Sequence, residues 1–96
     1  MITCTTILKP REDSREPFER LLKQLVKNVR EHEPGTTLFQ LMRSQNAPRT
    51  YLVIEQYADK DALAVHSRTD YLKATVPEML TYLEEEPRLD SFDPVE

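Results

Sequence analysis

The chain has 96 residues, a net charge of −4 at pH 7 and one cysteine, Cys4. Its length fits a single domain, residues 1–96, and its acidic balance is unfavourable for binding nucleic acid or an anionic membrane surface. One cysteine excludes an intrachain disulfide, and neither His32 nor His66 has a second histidine or a cysteine at metal-ligand spacing. No apolar run approaches the roughly 20 residues that span a bilayer, and no signal-peptide pattern opens the chain. We therefore predict a cytoplasmic protein that gains stability by oligomerisation.

The first half of the chain predicts a strand followed by a long helix. Residues 1–8 are small, apolar or β-branched, and Pro10 ends this first strand. Ser14 is the predicted N-cap of the helix, which is expected to stop near His32 because Pro34 excludes its neighbour from helical geometry. Gly35, the only glycine, is expected to take a positive φ there. Apolar residues recur at helical spacing on one face of the helix: Phe18, Leu21, Leu22, Leu25, Val26 and Val29.

The second half predicts a hairpin, two helices and a last strand. Residues 36–43 and 50–57 are β-prone and are joined by a short polar turn. Asp59 is the predicted cap of a short helix that runs to His66, and residues 70–83 form a further helix in which Pro77 should cause a kink or a new start. Residues 88–92 form the last strand. The buried candidates of the later helix are Tyr71, Val76, Met79, Leu80 and Leu83.

The order β-α-β-β-α-β is that of a ferredoxin-like α+β fold, a four-stranded antiparallel sheet with helices on one face. Alternate strand residues face opposite sides, yet residues 51–57 and 36–43 are largely apolar on both faces. Helices can cover only one of these faces. We therefore predict a homodimer in which two sheets pack together, a dimeric α+β barrel.

Three segments resemble the antibiotic biosynthesis monooxygenase (ABM) family. Residues 33–41, EPGTTLFQL, resemble the E-P-G-T/C-x-x-F/Y segment before the family's second strand. Residues 51–57, YLVIEQY, resemble its third strand, F-x-x-x-E-x-W/Y, and residues 59–66, DKDALAVH, resemble the D-x-x-A-L-x-x-H helix that follows. The resemblance implies a dimeric ferredoxin-like fold and, in many members, cofactor-free oxygenation of phenols or quinols.

A candidate catalytic site follows from the residues around the turn after the third strand. Glu55, Tyr57 and His66 are the candidate catalytic residues, with His66 as the base because histidine exchanges protons near neutral pH. Tyr57 or Tyr71 would orient the substrate and Phe39 would stack on it. The candidate substrate-binding residues are Phe39, Tyr71 and Met79.

The expected reaction joins a small aromatic or quinol substrate with dioxygen, and neither a cofactor nor a metal is expected. An isomerase that uses the same pocket and a non-catalytic ligand-binding or stress-associated dimer stay open as alternatives. Haem degradation is disfavoured, because the relatives that degrade haem use a pocket tryptophan and this chain has none. His66 and Glu55 could also have purely structural roles. His66 would stabilise the end of its helix, and Glu55 would be a hydrogen-bond partner of His66 or of the backbone.

Overall fold

The computed structural model describes residues 1–96, and its elements follow the predicted order. The strands are β1 (Ile2–Leu8), β2 (Thr36–Arg43), β3 (Tyr51–Tyr57) and β4 (Arg88–Phe92), and the helices are α1 (Arg15–His32), α2 (Lys60–Ser67) and α3 (Asp70–Tyr82). All pairings are antiparallel and the sheet order is β2-β3-β1-β4. The ferredoxin-like α+β prediction is confirmed. None of the helices combines the length and the hydrophobicity that crossing a membrane requires.

The hydrophobic core lies between the helices and one face of the sheet. The apolar stripe of α1 is buried at Phe18, Leu22, Leu25 and Val29, as its spacing predicts. Strand residues that share a face complete the same cluster, and they are Leu8, Phe39, Tyr51 and Val53. Because α3 packs chiefly on α1, with little direct contact to the strands, a space remains between α3 and the β1–β4 side of the sheet.

The opposite face of the sheet carries no fully buried side chain. Its central residues, Thr5, Leu52 and Ile54, are each only partly buried. Direct cross-strand pairing places Thr5 beside Ile54, so these residues form one continuous surface. Met42 is 48% exposed on the same face, although it is a large apolar side chain. The expected mixture of apolar residues on both faces is therefore present, and one apolar face stays open in the single chain.

Two predictions at the ends of α1 are wrong. Ser14 does not cap the helix, because a short 3-10 turn (Glu12–Ser14) runs directly into it and the Ser14 hydroxyl bonds Asp13 and Arg11 instead. Gly35 has no positive φ. Its lack of a side chain matters for packing, since a Cβ at this position would lie 2.7 Å from the Cβ of Ala62 on α2. That distance is too short for two carbon atoms.

The helix α3 also departs from expectation. It continues through Pro77 without a new start. Both Pro77 and Lys73 are exposed, so water can bond the carbonyl that lacks its usual N–H partner. Thr75 and Met79 are buried, whereas Val76 and Leu80, predicted to be buried, are exposed at the edge of the space beneath α3. The helix is rotated so that these two side chains border an opening.

Candidate active site

A cavity of about 340 Å³ occupies the space between α3, α2 and the sheet. Its walls are mostly apolar and include Phe39 and Met79, two of the predicted substrate-binding residues. His66 and Glu55 bring the main polar groups to the same walls. An apolar cavity with few polar groups is typical of small-molecule sites. A larger open groove of about 750 Å³ between α1 and β2 is lined chiefly by charged and polar side chains and does not reach His66.

His66 is held at the cavity by the geometry of α2. The carboxylate of Asp59 accepts the backbone N–H of Ala62 at 2.8 Å, which confirms the predicted cap and fixes where the helix begins. The close approach of Gly35 to Ala62 seats α2 against the loop after α1. The rings of Phe39 and Tyr57 each lie 5.4 Å from the imidazole, centroid to centroid. Packing thus restricts the His66 ring to one orientation.

Glu33 is the principal hydrogen-bond partner of His66. It lies in the loop after α1 with only 4% of its surface exposed. Its Oε1 is 2.9 Å from His66 Nδ1 and accepts the Thr36 hydroxyl at 2.8 Å, while its Oε2 accepts the Tyr71 hydroxyl. All three partners supply a proton to the carboxylate, so Nδ1 carries the imidazole hydrogen. The lone pair of the neutral ring is then on Nε2.

Glu55 and Tyr57 form a second polar pair on the other side of the imidazole. The Tyr57 hydroxyl donates to Glu55 Oε1, and the same oxygen lies 3.9 Å from His66 Nε2. Tyr57 is fully buried and is not part of the cavity wall. Its place behind Glu55 makes it a positioning residue for that carboxyl group.

The electrostatic setting differs between these groups. Burial raises the pKa of the Glu55 carboxyl, against the opposing effects of the Tyr57 hydrogen bond and the His66 charge. Burial, followed by the hydrogen bond to Glu33, raises the pKa of Tyr71 to about 12. Burial also raises the pKa of Tyr57 far above its ordinary value, so both hydroxyls stay protonated donors at neutral pH. No three histidine, cysteine, aspartate or glutamate side chains are grouped so as to hold a metal ion.

The six predicted site residues fall into two groups. Phe39, Glu55, His66 and Met79 are together at the cavity. Tyr57 and Tyr71 lie outside its walls and reach the site only through Glu55 and Glu33.

Sequence reasoning missed Glu33 as a functional residue. In the sequence, Glu33 is only the first residue of the E-P-G-T segment, and Pro34 and Gly35 are enough to explain the end of α1. A glutamate that is kept at a helix end by a following proline and glycine gives no sign of burial, because its partner His66 is 33 residues away along the chain. Only the fold brings the two together.

Fold and site together define a small ferredoxin-like protein with a glutamate-oriented histidine at an apolar cavity. The family profile described as antibiotic biosynthesis monooxygenase matches residues 1–78. The chain belongs to this family. No protein with a curated description matches it.

Solved structures agree with this assignment. A proposed antibiotic biosynthesis monooxygenase from Caulobacter crescentus is 35% identical, with a TM-score of 0.93 over 99% of this chain and 90% of that one. Rv0793 from Mycobacterium tuberculosis, at 19% identity, superposes with a TM-score of 0.91 over 99% of this chain and 95% of that one. A proposed antibiotic biosynthesis monooxygenase from Nitrosomonas europaea, at 18% identity, has a TM-score of 0.90 over the full length of both chains. The last two show a shared fold.

Proposed function

We propose that this protein is a cofactor-independent monooxygenase that acts on a small phenol or quinol. The observation that carries the proposal is the buried Glu33–His66 pair, whose Nδ1 to Oε1 distance is 2.9 Å, at the wall of an apolar cavity. Glu33 orients the imidazole and stabilises its protonated form, while Nε2 is the base. Family membership and the 35% identical Caulobacter protein support oxygenation as the reaction.

The chemistry balances without an external reductant. His66 Nε2 removes the hydroxyl proton of a quinol, and the electron-rich anion passes one electron to dioxygen. The two radicals combine to form a carbon–oxygen bond, and His66 returns its proton as the peroxide loses water. One oxygen atom enters the product, a hydroxylated quinone, and the other leaves as water. The quinol supplies all four electrons, and Phe39 stacks on its ring in the cavity.

Oxygen consumption tests this function directly. A panel of simple phenols and quinols should give oxygen uptake in proportion to protein, above the rate of uncatalysed autoxidation. The control variant is His66→Asn, because its amide nitrogen takes the place of Nδ1 and still donates to Glu33, whereas no base replaces Nε2. Uptake that is equal in this variant and in the wild type would rule out His66 as the base.

Glu55 favours one second candidate, a proton-transfer isomerase. Its carboxyl has a raised pKa and its Oε1 lies 3.9 Å from His66 Nε2, so a base and a potential acid face the same cavity. Such an enzyme works without dioxygen and exchanges substrate protons with solvent. Deuterium incorporation into a carbonyl substrate under nitrogen would support it. A ligand that raises the melting temperature without any turnover would instead indicate a binding protein.

We also propose that two copies pair through the open face of the sheet. The accessible surface of the single chain is 6396 Å², which exceeds the roughly 5,700 Å² expected of a compact 11.3 kDa monomer. The centre of the open face, around Ile54 and Leu52, is apolar and only partly buried. A second sheet would cover it, as a stable dimer buries about 800 Å² per partner.

Sedimentation of a charged variant tests the dimer. Ile54→Lys places a charge at the centre of the open face and should shift the protein toward monomer at micromolar concentration. Val65→Lys is the matched control, since Val65 is 47% exposed on α2 and far from that face. A wild-type monomer, or a dimer unaffected by Ile54→Lys, would contradict this interface.

The proposal assigns the activity to one ABM-type domain that comprises residues 1–96. A single cluster of nine buried residues supports one domain. We propose the cytoplasm as its location, because a single cysteine without a disulfide partner suits a reducing compartment.

A further inference from the structure

The cavity beside His66 has two different ends. The inner end carries His66 and Glu55 together with the ring of Phe39. The outer end lies between α3 and β4 and is bordered by Leu80, which is 48% exposed, and Leu89, which is 77% exposed. Val76 on α3, 37% exposed, lies on the same border. The chain thus exposes three aliphatic side chains where its candidate site meets solvent.

Exposed aliphatic side chains around a cavity favour an aliphatic ligand. Scattered apolar residues on a surface need no explanation, whereas a group that continues the wall of an apolar cavity marks a binding surface. Leu89 projects from the helix-facing side of β4, opposite Thr6 of β1, and Leu80 follows Val76 by one helical turn. The two elements therefore provide an apolar surface on both sides of the opening.

The charged residues of the cavity walls restrict the class of ligand further. No lysine or arginine lines the cavity, and its only carboxyl groups belong to Glu55 and Asp90. A carboxylate or phosphate on the ligand would find no cation here and would lose its hydration. The site therefore discriminates against anionic ligands by leaving their charge unpaired.

On this basis, and resting on the proposed function, we propose that the substrate is a neutral phenol or quinol with an aliphatic substituent. Its ring lies against Phe39 and its hydroxyl group faces His66, while the substituent extends toward solvent between Leu80 and Leu89. Burial of one methylene group contributes about fourfold in affinity. Since the outer end is half open to solvent, four additional methylenes should give at least about tenfold.

Titration calorimetry under nitrogen, which prevents turnover, tests the inference with three phenols. We expect 4-hexylphenol to bind at least about tenfold more tightly than 4-ethylphenol. A phenol whose carboxylate lies close to the ring, 4-hydroxyphenylacetate, should bind more weakly than 4-ethylphenol, because its charge would lie inside the cavity, where no lysine or arginine pairs with it. Equal affinities for 4-hexylphenol and 4-ethylphenol would overturn the inference. So would an affinity for the carboxylated phenol that equals the affinity for the neutral phenol with which it is compared.

Variants at the outer end locate the substituent. Leu80→Ser and Leu89→Ser should each reduce the hexyl-to-ethyl affinity ratio by about threefold or more, because they remove aliphatic contacts. Val65→Ser is the matched control, since Val65 is 47% exposed and does not line the cavity. An equal effect of Val65→Ser would overturn the inference. So would a change in sedimentation with no change in the affinity ratio, because a second copy would then cover Leu80.

Failure of this inference differs from failure of the proposed function. If 4-hexylphenol binds through Leu80 but neither it nor any other phenol or quinol is oxidised, the inferred preference for an aliphatic substituent holds and the monooxygenase proposal fails. If quinols are oxidised with the same KM whatever their alkyl length, the oxygenase holds and the inference fails.

Discussion

Glu33→Gln removes one negative charge from the most buried polar cluster of the protein. The glutamine oxygen can still accept from Thr36 and His66, but an amide replaces the oxygen that accepts the Tyr71 hydroxyl. At least one hydrogen bond to a charged acceptor is lost, and such bonds contribute about 1.5–3 kcal/mol each. We expect the free energy of unfolding to fall by about 2 kcal/mol, which for a chain of this size lowers Tm by roughly 8–16 °C.

Thermal unfolding by circular dichroism, at equal protein concentrations, measures this change. Glu31→Gln is the control, because Glu31 is two residues earlier on an exposed turn of α1 and should change stability by less than about 0.5 kcal/mol. Glu33→Gln should also bring the pKa of Tyr71 below its value of about 12, since the Glu33 carboxylate helps to raise that pKa. Equal melting temperatures for the Glu33 and Glu31 variants would refute the view that Glu33 holds the site together.

Three further predictions concern packing and titration. Gly35→Ala should destabilise the protein by about 1–3 kcal/mol, since its Cβ meets Ala62 at 2.7 Å, and adding Ala62→Gly should recover part of that loss in chemical denaturation. Burial raises the pKa of Glu55 in the folded protein above 4.5, its ordinary value in the unfolded chain. The protonated carboxyl group therefore stabilises the fold below pH 4.5, and this stabilisation is lost as the pH rises through the higher pKa of the folded state. Glu55→Gln should therefore gain stability relative to the wild type as the pH rises above 4.5, whereas exposed Glu85→Gln should not. All four tyrosines have raised pKa values. Tyrosinate absorbance near pH 11 should therefore be weaker in the folded protein than in the unfolded chain, whose tyrosines titrate near 10. Equal absorbance would contradict the burial and hydrogen bonding of these side chains.

The sequence was sufficient for the fold because local signals agreed with the global arrangement. The helical spacing of Phe18 to Val29 defined α1, and the alternation along residues 51–57 grouped Tyr51, Val53, Glu55 and Tyr57 on one face. Which of the two largely apolar faces the helices cover came only from the structure. Where local chemistry permitted several outcomes, prediction failed. Ser14 has a capping side chain but sits at the end of a 3-10 turn, and Gly35 serves close packing rather than a left-handed turn.

The site was only partly predictable, because its central contact joins distant parts of the chain. His66 and Glu55 stood out by residue type and by their place near one strand-to-helix turn. Glu33 did not, since nothing local distinguishes a glutamate buried under α2 from one exposed at a helix end. Likewise, the exposure of Val76 and Leu80 depends on how α3 is rotated on α1. The apolar stripe of α3 is broad, so the spacing of its apolar residues does not determine this rotation.

Isotope labelling tests the central claim most directly. The protein is supplied with a quinol and oxygen-18-labelled dioxygen, and the quinone product is analysed by mass spectrometry. We predict that one labelled oxygen atom enters the product, and that incorporation falls on the order of 10²-fold in His66→Asn, the range that a lost general base implies. A product without label, or the same rate of incorporation in His66→Asn, would contradict the account.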